Sequence, residues 1–215
     1  MKKYFLFLIV FCALFSITSC KKKSGSSETD SKQTSENKSE TKKETTNTNS
    51  TPYHIKYETK SNNESGNMKM WVKGKKFKIN IDAEVNGKKN TANMYVPDKK
   101  AYMITDDAGE KMNMVMDVDE ELENTINYEI ASISERIKDF QKVGNEDVLG
   151  YKCDVYQSKF GDKFSIYKDN YVLKITDKNN KTTTATVFEP DVKLEDNMFN
   201  PPEGLKWMTM EEMMK

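Results

Sequence analysis

Between Asn67 and Asp117 hydrophobic and polar residues alternate almost without interruption. In Asn67–Lys73, Met68, Met70 and Val72 share one face, and Asn67, Lys69 and Lys73 share the other. Phe77, Ile79 and Ile81 repeat the pattern between Lys76 and Asp82, and Met112, Met114 and Met116 repeat it again further on. Ala92, Met94 and Val96, then Tyr102 and Ile104, continue the same sheet. A period of two predicts strands with one apolar and one wet face. The turns at Asn86-Gly87, Pro97-Asp98 and Asp107 to Gly109 are short, so neighbouring strands should run antiparallel. Upstream, Tyr53–Glu58 opens this meander as a further strand. Its oily, methionine-rich side requires a cover.

After Met116 the period changes. Leu122, Ile126, Ile130, Ile133, Ile137 and Phe140 recur at spacings of three and four, which predicts an amphipathic helix from Asp119 to Gln141. Asp117 and Glu120 form a plausible capping pair, and Arg136 and Lys138 suit the negative end of the helix dipole. This helix is the expected cover for the apolar face. Strands then resume over Asp147–Gln157, Lys163–Tyr167, Tyr171–Ile175 and Thr182–Phe188, with turns at Phe160 to Asp162, at Asp169-Asn170 and at Asp177 to Asn180. Phe199–Trp207 reads as an irregular edge before a short Met-rich tail. The fold class expected is α+β: a curved antiparallel sheet, an unclosed half β-barrel, wrapped around one main amphipathic helix.

Composition changes this picture mainly at the N-terminus. Lys3 closes a short basic start, an apolar run follows from Tyr4 to Phe15, and Ile17-Thr-Ser-Cys20 comes next. These are the basic and apolar regions of an export signal, too short to read as a membrane span. The ending resembles a bacterial lipobox, which implies that Cys20 is lipidated and becomes the mature N-terminus. Two or more acyl chains, at roughly 0.8 kcal/mol per buried methylene, make such an anchor effectively permanent. Residues 21 to 51 contain no aliphatic or aromatic side chain and read as a disordered tether with a reach of roughly 30 Å. The expected organisation is therefore a signal peptide over 1–19, the lipidated Cys20 with its tether over 20–51, and one domain over 52–215. Lys plus Arg and Asp plus Glu balance at 34 each, so no basic excess points to nucleic acid.

Gly150-Tyr-Lys-Cys-Asp-Val-Tyr156, a following hairpin with an aromatic strand, Val187-Phe-Glu189 and Met198-Phe-Asn-Pro-Pro-Glu-Gly204 together resemble the LolA-like superfamily, and more closely a branch of exported bacterial proteins within it. The similarity covers most of Tyr53 to Met210. It implies an unclosed β-barrel around helices with an apolar cavity between them, and members that carry, sense or move lipids and lipoprotein acyl chains in the cell envelope. The chain's one arginine, Arg136, falls on the predicted helix and not on an early strand. No functional residue of the carriers therefore transfers to this chain.

Candidate chemistry is sparse. His54, the one histidine, reads as an exposed strand residue at the tether junction, and Cys153 as a buried structural thiol. No nucleophile elbow, phosphate loop or Cys-x-x-Cys occurs. Asp177 to Lys181 lacks the glycine and the terminal glutamate of a calcium loop. No catalytic residue, cofactor or metal site is expected.

The methionines, 13 in all, stay open to three readings: core packing, a plastic cavity for acyl chains, or a Cu(I) site built from thioethers. The reading carried forward is a non-catalytic, lipid-anchored protein of the bacterial envelope, expected at the outer membrane, periplasmic or surface-facing. It is expected to act as a monomer that binds a lipid or lipoprotein acyl chain, with other envelope proteins as further partners. Met68, Met70, Phe77, Ile79, Met112, Met114 and Met116 from the sheet, with Ile126, Ile130 and Ile133 from the helix, are the expected lining. A structural lipoprotein with a fully packed interior is the rival.

Overall fold

The computed structural model describes residues 51–60, 64–118 and 137–213. All of them belong to the compact unit Thr48–Lys215. Six strands follow one another as a meander: β1 (Tyr53–Lys60), β2 (Glu64–Lys73), β3 (Lys76–Val85), β4 (Lys88–Val96), β5 (Lys100–Asp107) and β6 (Glu110–Asp117). A second meander comprises β7 (Gln141–Val148), β8 (Tyr151–Gln157), β9 (Lys163–Tyr167), β10 (Tyr171–Thr176) and β11 (Thr182–Pro190). Antiparallel pairing of β1 with β11 joins the two. The two-residue strand β12 (Met208–Thr209) adds itself in parallel to the outer edge of β6. The result is one 12-stranded sheet in the order β12-β6-β5-β4-β3-β2-β1-β11-β10-β9-β8-β7.

This architecture overturns the α+β expectation of a sheet wrapped around one main amphipathic helix. The one α-helix among the described residues is α1 (Met210–Met213) at the C-terminal end. Most of the helix predicted over Asp119 to Gln141, including Ile126, Ile130 and Ile133, lies outside the described residues. Where the description resumes, Ile137–Asp139 is a single 3-10 turn and Gln141 already begins β7. Ile137 is buried, and Phe140 stacks on Phe164 of β9 at 5.3 Å. Phe140 therefore serves the second meander.

Local sequence explains the turns. Asn86 and Gly87 both take positive φ between β3 and β4, the conformation that a two-residue hairpin demands and that these residue types tolerate. Leu149 and Gly150 do the same between β7 and β8, where Asp147 Oδ1 accepts from the Gly150 N–H at 2.8 Å. The stretch read as one strand over Asp147–Gln157 is thus the turn of a hairpin plus β8.

The core lies along the middle of the sheet. Ile55 of β1, Ile166 of β9, Leu173 of β10, Cys153 of β8 and Val96 of β4 are fully buried. Tyr57 Oη donates to the Val172 carbonyl at 2.7 Å, and the Thr59 and Thr183 hydroxyls pair at 2.8 Å. The chain after β11 folds back onto the β2–β3 turn. Phe199 is fully buried there, in the 3-10 turn Asp196–Phe199. Lys73 Nζ donates to the Leu194 carbonyl at 2.9 Å and to Asp196 Oδ1 at 2.7 Å, and Lys76 Nζ approaches Asp196 at 3.1 Å. Hydrogen bonds from Lys73 and Lys76 hold the Asp196 carboxyl below its ordinary range. At the far edge β7 is mostly exposed, with a bulge between Lys142 and Gly144, a device that discourages edge-to-edge pairing.

Glu146 of β7 gives the fold a pH dependence. Partial burial pushes its carboxyl up, but hydrogen bonds from Lys174 at 2.7 Å and from Ser165 outweigh that and leave it below the ordinary value of 4.5. A carboxyl depressed in the folded state adds stability above its unfolded pKa and loses it as pH falls through the folded value. Thermal midpoints measured from pH 6 to pH 3 should therefore drop in the lower part of that range. Glu146→Gln should drop less steeply; an identical pH slope would contradict the assignment.

Candidate functional site

Register turns the alternating positions into rows that cross several strands. Directly paired residues point to the same side of a sheet. Met70 pairs with Ile55 on β1 and with Ile79 on β3. Ile79 then pairs with Met94, Met94 with Met103, Met103 with Met114, and Met114 with Met208 on β12. One pleat away, Tyr57, Met68, Ile81, Ala92, Thr105 and Met112 form a parallel row. One pleat away in the other direction along the strands, on the same face, Tyr53, Val72, Phe77 and Val96 form a third row, and Ala101 pairs with Met116. No ionisable group stronger than a tyrosine hydroxyl stands in these rows, and burial holds the Tyr53 and Tyr57 hydroxyls well above their ordinary range.

Burial grades across this face. Met68, Met70, Phe77 and Ile79 are buried, Ile79 to 2% exposure. Among the methionines of β4, β5, β6 and β12 only Met114 is buried, at 8%, while Met94, Met103, Met112, Met116 and Met208 are half-buried. The methionine-rich end of the face is therefore its accessible end. The structure brings together the seven sheet positions expected from the sequence, and the other three, Ile126, Ile130 and Ile133, lie outside the described residues, as does Cys20.

Sequence reading missed Met103, gave Met94 no role, and left Met208 of the Met-rich tail out of the lining. The cause on β5 is a phase error. Tyr102 and Ile104 look more apolar than Ala101, Met103 and Thr105, yet they pair with Tyr95 and Asn93 on the opposite face. A shift of one residue exchanges faces along a whole strand, and Ala101 and Thr105 are the buried set. A stricter count of β5 against β4 across the Pro97-Asp98 turn was the signal available.

The opposite face carries an aromatic and cationic row of its own. His54 stacks on Trp71 at 4.9 Å, and Lys78 Nζ lies 5.4 Å from the Trp71 ring and 5.2 Å from that of Tyr95. Tyr102 meets Trp207 edge-on at 5.1 Å. His54 is not the exposed residue expected: its side chain is 17% exposed, Nδ1 lies 2.8 Å from Glu189 Oε2, and Nε2 is buried without a hydrogen-bond partner. These contacts hold the ring between strands and present no nucleophile to it.

Cys153 lies on β8, and burial first, with Glu146 and Asp147 behind it, pushes its thiol up to about 11. A thiol so protonated is a poor nucleophile. Iodoacetamide at pH 8 should modify Cys153 only after denaturation, as followed by mass spectrometry. Modification of the native protein within minutes would contradict this. Among the described residues no group of three or more His, Cys, Asp or Glu side chains could hold a metal ion, and no helix is long and apolar enough to cross a membrane.

Comparison with known proteins adds a family and little else. The family described as "Domain of unknown function (DUF4412)" matches residues 54–168, from β1 through β9. No curated protein matches the chain. Two solved structures of PNGF-II are similar in part. The one in space group P21 shares 10% identity with a TM-score of 0.38 and the one in C2 11% with 0.39. Each alignment covers 77% of this chain and 33% or 32% of the PNGF-II chain, so the chain spans about a third of the length of the structures it matches.

Proposed function

The chain belongs to the DUF4412 family, and for it we propose a role as a lipid-anchored protein of the bacterial envelope that holds an apolar ligand, a lipid or a lipoprotein acyl chain, without catalysis. The observation that carries this reading is the graded face: uncharged rows, closed at β1–β3 and open at the methionines of β4–β6 and β12. Methionine is unbranched and polarizable, so a face built from it can reshape around chains of different length. Each ligand methylene withdrawn from water contributes about 0.8 kcal/mol, enough for an acyl chain to bind without a polar partner. The N-terminal sequence supports the location. Ile17-Thr-Ser-Cys20 has the form of a lipidation site, and the polar stretch over 21–51 would let the domain work away from its anchor.

A polarity-sensitive fluorescent fatty acid titrated into residues 48–215 tests the reading. Saturable binding of one probe, displaced by unlabelled palmitate, is expected. Signal that rises without saturation, or that palmitate does not displace, would leave the apolar face as plain core.

A further inference from the structure

We propose that Met94, Met103, Met114 and Met208 form a thioether site for a soft monovalent cation, Cu(I), with Ag(I) as its analogue. These four side chains occupy one row across the adjacent strands β4, β5, β6 and β12, each paired directly with the next. Directly opposed side chains in a sheet have Cβ atoms about 4.5–5.5 Å apart. The methionine sulfur lies two bonds beyond Cβ on freely rotating torsions, so three neighbouring thioethers can converge on one ion from this row.

Packing alone does not call for sulfur at four consecutive strands, since leucine fills the same volume. The donor set decides which ion fits. Thioethers are soft and neutral and select Cu(I), whereas Zn(II), Mg(II) and Ca(II) need imidazoles, thiolates or carboxylates, and no group of three or more such side chains among the described residues could hold a metal ion. Charge decides in the same direction. The Born cost of moving an ion into an apolar setting grows with the square of its charge, so a monovalent ion is the one that uncharged walls admit. Burial supplies shelter and entry together: Met114 is buried, and Met94, Met103 and Met208 remain half-buried around it. Neither the domain's imidazole nor its thiol can join them. His54 and its partner Trp71 lie on the opposite face, and Cys153 is on β8, at the other end of the strand order.

The test is anaerobic competition for Cu(I) against a chromogenic bicinchoninate complex, using the mature lipidated chain in detergent. The wild-type chain should withdraw about one Cu(I) per molecule. The volume-conserving double variant Met103→Leu/Met114→Leu should bind Cu(I) at least tenfold more weakly while staying folded, as followed by its thermal midpoint, because leucine conserves the packed volume. Met68→Leu, on β2 and outside the row, should bind Cu(I) within twofold of wild type. Failure of the wild-type chain to compete would overturn the site. So would unchanged affinity in the double variant, or an equal loss in Met68→Leu. None of these three results touches acyl binding, which the fatty-acid titration reads separately.

Discussion

Replacing Met114 with Asp should abolish retention of an acyl ligand. Met114 is the buried member of the open end, flanked in its row by Met103 and Met208. A carboxyl there has no cation in the surrounding rows to pair with. Buried unpaired it costs several kcal/mol as the carboxylate, and protonation lowers that to on the order of 3 kcal/mol. The bound chain would share that cost, since it needs the same surface to be dry. Affinity for the fluorescent fatty acid should fall by at least a hundredfold, and Met114→Leu should bind as wild type does. The processing and acylation proposed at Cys20, followed by gel mobility and palmitate labelling, should not change in Met114→Asp. A variant that still binds the probe with wild-type affinity would remove this face from the proposed site.

The second large effect concerns stability. Phe199 is fully buried and anchors the return of the chain onto the β2–β3 turn, where Lys73 also holds Leu194 and Asp196. Truncating a fully buried phenylalanine removes its transfer free energy and leaves a cavity that the backbone only partly closes, about 3–5 kcal/mol together. Phe199→Ala should therefore lower the free energy of unfolding by that amount in urea titration. The midpoint should shift to lower urea without a change in slope. A loss under about 1 kcal/mol would mean that this segment packs on the sheet without supporting it. The lysine contacts should not rescue the variant, because Lys73 and Asp196 are substantially exposed and such pairs contribute little.

What the sequence made legible follows from the range of the interactions involved. Alternation within a strand is local, and so the inward positions of β2, β3 and β6 could be read directly: Met68, Met70, Phe77, Ile79 and Met114 are all buried. The Asn86-Gly87 hairpin could be read for the same reason, because its residues specify their own backbone. The Leu149-Gly150 turn escaped because leucine seldom takes positive φ and Val148 and Leu149 look like a continuing strand. Register is not local. The row from Met70 to Met208 depends on five separate pairings, one of them parallel and made by a two-residue strand near the C-terminus.

The helix expectation failed for a related reason. A spacing of three and four between apolar residues describes a stripe, but not what it packs on. At the described end of that stripe, Phe140 pairs with Phe164 and Gln141 enters a strand beside β8. Sheet pairing decided there, over a pattern that reads as helical.

Native mass spectrometry of the protein released from bacterial membranes under mild detergent tests the central claim most directly. The account predicts a mass excess beyond the proposed Cys20 acylation, one ligand per chain, which extracts into organic solvent and is absent from Met114→Asp. A chain carrying only its covalent lipid, and unchanged after incubation with added phospholipid or palmitate, would contradict it and leave a sheet whose methionine face is filled by the protein alone.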